Sequence, residues 1–214
     1  MYGISDIQEL NRLFTTLAYN TGNEITLEEL SQSANVAKNT LKKYLEYLEA
    51  AFLIKRIHRI DLNAKAFRRA TSFKVYLTNP SMRAALFGYV NVDSDAMGAL
   101  TETAIFSQWL HSDTIDRLHY ARWKSGEVDI VYVAPDTQKP AWLVEVKWSD
   151  NPARDRRLLR NVVEFAKENG MHGEVLVTTK TQSQHVSVDG VDVELKASSE
   201  YAYTVGKNIL SPRH

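Results

Sequence analysis

Two short segments carry charges where strands would bury them. Glu127-Val-Asp-Ile-Val-Tyr-Val133 and Ala141-Trp-Leu-Val-Glu-Val-Lys147 are rich in β-branched and aromatic residues and read as strands. Side chains alternate between faces along a strand. Asp129 then shares a face with Val131 and Val133, while Glu145 shares one with Leu143 and Lys147, opposite Trp142, Val144 and Val146. A lone buried charge is costly, so each carboxylate needs a partner or a task. Paired strands lie about 4.8 Å apart, so two carboxylates facing the same way can share one divalent cation. Hard oxygen ligands suit Mg2+ or Mn2+, which bind through one or two carboxylates plus phosphate and water. Such an ion acidifies water and offsets charge on a phosphate. Lys147 would position that water and offset transition-state charge, Glu102 on a preceding helix would supply a further acid, and the Val146 carbonyl would help hold the metal. The plainer alternative is an in-strand Glu145–Lys147 ion pair, with Asp129 capping a turn.

A second group of residues suits polyanions. Between Lys38 and Lys74 stand ten Lys or Arg residues against Glu46, Glu49 and Asp61, a local charge of +7 in a chain whose 26 basic and 26 acidic residues cancel. Lys38, Asn39, Lys42 and Lys43 fall on the outer side of one helix, and Arg68 and Arg69 in a polar loop; all six are candidate nucleic-acid contacts. Arg156 and Arg160, with Arg154 and Arg157, line a second helix read over 153–169, a candidate phosphate-contacting helix. The alternative for both groups is a solvated charged face.

The elements that would position these residues follow from periodicity. Ile7, Leu10, Leu13, Phe14 and Leu17 recur at helical spacing over 6–19. Thr26-Leu-Glu-Glu29 has the capping-box pattern and opens a helix over 27–33. Leu41, Leu45 and Leu48 mark a third helix, 37–51. Extended segments follow at 52–60 and 72–78. Three helices and then two strands joined by a basic loop is the order of a winged helix-turn-helix, whose third helix can enter the major groove. A short helix spans 82–87, and the acidic stretch after Asn91 suggests a boundary, giving domains 1–95 and 96–214. The second half reads as a helix (98–111), strands at 118–123, 127–133 and 141–147, a helix (153–169) stopped by Gly170, a strand (174–179) and a hairpin turning at Asp189-Gly190. The expected class is α/β (α+β), with a mixed sheet in the second domain.

Asp129, fifteen intervening residues and Glu145-x-Lys147 resemble the PD-(D/E)XK restriction-endonuclease-like signature. The chain as a whole resembles the C-terminal region, a domain of unknown function, of bacterial and archaeal AAA-type P-loop ATPases. The resembling residues are Thr40-Leu-Lys-Lys-Tyr-Leu-Glu-Tyr-Leu48, Phe52-Leu-Ile54, Lys74-Val-Tyr-Leu-Thr78, Gly98-Ala-Leu-Thr-Glu102, Arg122-Trp123, Gly126-Glu-Val-Asp129 and Val144-Glu-Val-Lys147. That resemblance implies a winged helix followed by a nuclease-like domain, behind an ATPase domain that would be a partner. The chain has no Gly-x-x-x-x-Gly-Lys-Ser/Thr loop, since Gly206-Lys207 lacks the rest, so no nucleotide site is expected in it. It reads as an excised C-terminal piece or a stand-alone form.

Composition narrows the classes further. With no cysteine, disulfides, thiol catalysis and Cys-ligated zinc are excluded. No apolar run approaches the roughly 18 residues of a membrane span, and the first ten residues, with Asp6 and Glu9, lack a signal core. A cytoplasmic protein without a membrane partner is expected.

Overall fold

The computed structural model describes residues 7–65, 72–171 and 174–211. In chain order it has α1 (Ile7–Tyr19), β1 (Glu24–Thr26), α2 (Leu27–Ala34), α3 (Lys38–Ala50), β2 (Ile54–Ile60), β3 (Ser72–Leu77), α4 (Ser81–Phe87) and α5 (Ala96–Trp109). Then come β4 (Leu118–Arg122), β5 (Glu127–Val133), β6 (Pro140–Glu145), α6 (Asn151–Arg154), α7 (Arg160–Glu168), β7 (Val175–Thr179), β8 (Gln184–Val188), β9 (Val191–Ala197) and α8 (Ser198–Leu210).

The helical stripes go where periodicity puts them. Leu13 and Leu17 of α1 are buried against Leu30, Leu41, Leu45 and Leu48 of α2 and α3, and the same cluster takes Phe73, Val75 and Leu77 from β3. Ile7 departs from the expected stripe: it is exposed at the helix start, before the first turn reaches the core. The capping box forms as read. The Glu29 N–H donates to Thr26 Oγ1 at 3.1 Å and the Thr26 N–H donates to Glu29 Oε2 at 2.8 Å, satisfying two donors that a helix start leaves unpaired.

All nine strands of the described residues join one mixed sheet, in the order β1-β3-β2-β4-β5-β6-β7-β9-β8. The β2–β3 hairpin is antiparallel, and the far end of β2 pairs parallel with β4 through Arg59↔Tyr120 and Ile60↔Ala121. The sheet therefore runs without a break across the expected boundary near residue 95. On one face α7 packs over Val128, Val131, Leu143 and Val177. On the other, α5 and α8 pack over Ile57, Tyr76, Ile130 and Val144. The ring of Tyr76 stacks on Phe106 of α5 at 4.2 Å, a direct tie from β3 to that helix.

Two turns show why their residues are there. A Cβ on Gly126 would lie 2.4 Å from the Trp123 ring, so only glycine lets that ring close over the β4–β5 turn. Asp189 and Gly190 both have positive φ (49° and 82°), the backbone of a tight hairpin turn that matches strand twist. The helix expected over 153–169 is not continuous. Asp155 leaves helical geometry (φ −123°, ψ 102°) and its carboxylate accepts the Arg157 N–H at 3.0 Å. A local side-chain acceptor competes with the helix ladder, so α6, a 3-10 turn at Arg156–Leu159 and α7 replace one long helix. Two elements go beyond those expected from periodicity, the short β1 and the 13-residue α8. No helix among the described residues is long and apolar enough to cross a membrane.

Thr26→Ala removes one half of the capping box. It is expected to lower unfolding free energy by about 1 kcal/mol, measured by urea denaturation. An unchanged midpoint would show that α2 is held by packing alone.

Candidate functional site

The site begins at an irregularity. The β4–β5 register changes by one between His119↔Val131 and Ala121↔Val128, so Asp129 and Ile130 together oppose Tyr120. This is a β-bulge, a device that re-aims a side chain. It lifts Asp129 out of strict alternation with Val131 and turns its carboxylate toward β3. The β5–β6 pairing shifts register between Tyr132 and Val133 and runs as far as Ile130↔Val144, the residues next to Asp129 and Glu145. The Val146 N–H donates to Asp129 Oδ2 at 2.8 Å, so the carboxylate also fastens the end of β6.

Past Glu145 the sheet opens. Glu145↔Val177 is the last residue pair of β6 with β7. Beyond it the buried Thr178 hydroxyl accepts from the Lys147 N–H at 2.9 Å and donates to the Lys147 carbonyl at 3.2 Å. Lys147 thus leaves the ladder at a fixed point, with its side chain 43% exposed and its ammonium 2.6 Å from Glu145 Oε1. That ion pair is the plainer alternative drawn from the sequence, and it forms. It leaves Glu145 Oε2 buried without a hydrogen-bond partner.

The residue that reading the sequence placed elsewhere is Lys74. It belongs to the basic segment 38–74, yet it is only 3% exposed. From β3 its ammonium lies 2.9 Å from Glu102 Oε1, 3.0 Å from Asp129 Oδ1 and 2.6 Å from Glu127 Oε1. It also sits 5.5 Å from the centroid of the Tyr120 ring. The Tyr76 hydroxyl donates to the same Glu102 oxygen. Lys74 and Tyr76 alternate in β3 against Phe73, Val75 and Leu77, which face the helical cluster. That alternation was visible in the sequence and is the signal that Lys74 points into a core. The loop after α1 holds α5 in place: Thr21 and Thr103 share a hydrogen bond at 2.9 Å, and Thr21 Oγ1 accepts from the Leu77 N–H at 3.1 Å.

Glu102, Asp129 and Glu145 are each more than nine-tenths buried, and burial sets their ionisation. It pushes Glu145 up to about 8, with the negative charge of Asp129 acting in the same direction. It pushes Glu102 up to about 7, again helped by Asp129. For Asp129 burial acts upward too, but the Lys74 and Lys147 charges and the Val146 N–H outweigh it, so its pKa falls below the usual carboxylate value. Burial would deprotonate Lys74, but Tyr76, Asp129, Glu102 and Glu127 hold its pKa well above that of a free lysine. Asp129 is thus the anion of the cluster, and Glu102 and Glu145 hold protons near neutrality. Buried carboxylates with separated pKa values are a mark of functional sites.

Do these residues fit a divalent ion? Among the described residues, no group of three or more His, Asp or Glu side chains is arranged to hold a metal. Lys74 itself engages Glu102 Oε1 and Asp129 Oδ1. The orphaned Glu145 Oε2 and the Asp129 carboxylate remain as hard oxygen donors, and two carboxylates are what a Mg2+ site that keeps water and phosphate ligands uses. By donor type, Asp129 and Glu145 are the hard oxygens that would hold one such ion, while Glu102 is engaged by Lys74.

The proposed contact residues lie outside this cluster. Lys38, Asn39, Lys42 and Lys43 are all exposed on α3. Lys38 is paired with Glu28, and elsewhere in the basic segment Arg56 is paired with Glu49 and Lys55 with Asp116. Arg68 and Arg69 lie outside the described residues. Arg156, in the 3-10 turn, and Arg160, the first residue of α7, are exposed on the face opposite α5, and no ion pair among the described residues joins them to the carboxylates.

Residues 1–93 match the model of a domain of unknown function (DUF8612). The match covers α1 to α4, including Lys74, and ends before Glu102. No curated protein and no solved structure matches the chain.

Glu145 and Glu102 have pKa values above the unfolded value of 4.5. The stability they contribute is present in full below that value and is lost as pH rises through about 7 and 8. Without added metal, Glu145→Gln should therefore melt several degrees above wild type near pH 8.5, with the difference shrinking toward about pH 5. A pH-independent difference in melting temperature would contradict this.

Proposed function

We propose that the chain is a nucleic-acid-binding module with a divalent-cation-dependent phosphodiester-cleaving site, built as a winged helix followed by a PD-(D/E)XK-like domain. The observation that carries this reading is the Val146 N–H bond to Asp129 Oδ2, which ties the end of β6 to Asp129, with the neighbouring Glu145 Oε2 buried and unpartnered. The ion pair uses Oε1 alone, and an unsatisfied buried acceptor costs about 1–3 kcal/mol, a cost that a cation bound at Oε2 would relieve.

Asp129 and Glu145 would hold a Mg2+ or Mn2+ ion, with the Val146 carbonyl beside them. When bound, such an ion supplies Lewis acidity toward water and a phosphoryl oxygen. The protein groups do the rest. Lys147 reaches solvent from the opened sheet and can meet the phosphate of an incoming strand. Its ammonium can orient the attacking water and offset charge as the water oxygen bonds to phosphorus and the ester oxygen departs. Lys74 and the Val146 N–H fix both oxygens of Asp129, so that carboxylate need not reorganise. The exposed α3 lysines Lys42 and Lys43 would contact backbone phosphates. The resemblance to C-terminal regions of AAA-type ATPases adds an ATPase domain as partner.

A second reading has its own observation. Lys74 fills the space between Glu102 and Asp129, as in a nuclease-like fold used only to bind nucleic acid or protein.

Incubation with single- and double-stranded DNA and RNA, with Mn2+ or chelator, separates the two. Metal-dependent cleavage that Asp129→Ala and Glu145→Ala abolish supports the first; cleavage no greater than in Asp129→Ala leaves the second. Lys147→Ala should slow cleavage about 10- to 100-fold while sparing metal affinity, because its contact matters mainly in the transition state.

Binding is tested separately. Reversing Lys42 and Lys43 to Glu should reduce the log–log salt slope on duplex DNA by about 2, at about 0.9 per phosphate contact. An unchanged slope would remove α3 from the interface.

A further inference from the structure

We propose that the Lys74 ammonium is a built-in cation holding the position between Glu102 and Asp129, so that the site admits one divalent ion and not two. The inference rests on the cation-dependent reading above and adds its stoichiometry and the residue that sets it.

An ammonium has three N–H donors. The Lys74 nitrogen lies 2.6–3.0 Å from carboxylate oxygens of three residues, Glu102, Glu127 and Asp129, and donates hydrogen bonds to Glu102 and Asp129. These come from α5 and β5, so the charge gathers acids from separate elements as a bound metal does. Tyr76 adds a hydroxyl to Glu102 Oε1. A Mg2+ ion needs oxygens about 2.0–2.1 Å away in near-octahedral array. Seating one on Glu102 Oε1 and Asp129 Oδ1 would require the ammonium to leave. It has nowhere to go: β3 is an interior strand between β1 and β2, and Lys74 is 3% exposed. Withdrawing a buried charge from its partners leaves both sides uncompensated and is strongly unfavourable. Glu145 Oε2 is outside this arrangement. The chain therefore has one cation position filled covalently and one formed by Glu145 with Asp129. Nucleases with two ions use them to clamp the attacking and leaving oxygens; here the second positive charge is fixed and cannot be removed by chelation.

The test counts ions. Mn2+ is titrated into the full chain by calorimetry, with electron paramagnetic resonance of free Mn2+ as an independent count. Wild type should bind one ion. Lys74→Met, close in length and uncharged, should bind two. Wild type binding two ions, or a folded Lys74→Met binding one with unchanged affinity, would overturn the proposal while leaving the cation-dependent reading intact. Wild type binding none and Lys74→Met one would sink the cation-dependent reading for the native chain and still support Lys74 as the occupant. No binding by either, both folded, would sink both. Should Lys74→Met be unfolded without metal, saturating Mn2+ should restore its circular dichroism spectrum; a chain that stays unfolded would count against the proposal.

Discussion

A positive charge buried in a sheet is the constraint on which this molecule turns. The Lys74 ammonium sits among Glu102, Glu127 and Asp129 with almost no access to water. Taking an ammonium out of water costs several kcal/mol, recovered only if it is surrounded by partners in good geometry. That requirement dictates much else. Helix α5 must approach β3 closely enough to bring Glu102, which Tyr76, Phe106, Thr21 and Thr103 arrange. Strand β5 must bulge so that Asp129 turns out of the alternation that places Val131 under α7. Removing either side of this network would strand a charge, a loss of about 3–5 kcal/mol. The carboxylates and the lysine are consequently conditions for each other.

The same charge divides the carboxylates into two kinds. Asp129 feels both lysines and stays ionised; Glu102 and Glu145 are as deeply buried but meet the negative field of Asp129, which adds to burial in raising their pKa values. Four acids, Glu102, Glu127, Asp129 and Glu145, face the two ammoniums, and the raised pKa values of Glu102 and Glu145 lessen that excess of negative charge near neutrality. A divalent cation on Asp129 and Glu145 would take the place of such a proton. The opened end of β6, where Thr178 instead of a β7 backbone group binds Lys147, is where such an exchange would meet solvent.

Much of the scaffold was legible because it is written in local rules. Thr26 and Glu29 announce a helix start by chemistry confined to four residues. Asp189-Gly190 announces a turn by its tolerance for positive φ. Glu145 and Lys147 stand out because charges are rare in apolar strands. The features not legible in this way lack a marker strong enough to override their sequence surroundings. Ala197 lets α8 start directly from β9, with no side-chain cap and no intervening loop to mark it. Asp155 breaks a helix whose apolar spacing is otherwise sound. Lys74 was the costliest misplacement. Its neighbours in sequence include many basic residues, so it reads as one more surface charge, and its carboxylate partners lie 28 to 55 positions away.

That misplacement also alters what the basic segment means. Its +7 is a count along the chain, whereas attraction for a polyanion depends on charge exposed on one face. Lys74 is spent inside the protein, and Lys38, Arg56 and Lys55 face Glu28, Glu49 and Asp116. Among the four α3 residues, Lys42 and Lys43 keep an exposed field on the side of the helix away from Leu41, Leu45 and Leu48. The buried and exposed lysines therefore share one stretch of sequence but act in opposite directions: those on α3 look outward for negative partners, and the one on β3 has gathered its own. Because α3 and β3 pack into the same hydrophobic cluster, the spacing between the outward-facing charges and the acidic site is set by a rigid core, not by a linker. A strand held on α3 would be held at a fixed distance from Lys147.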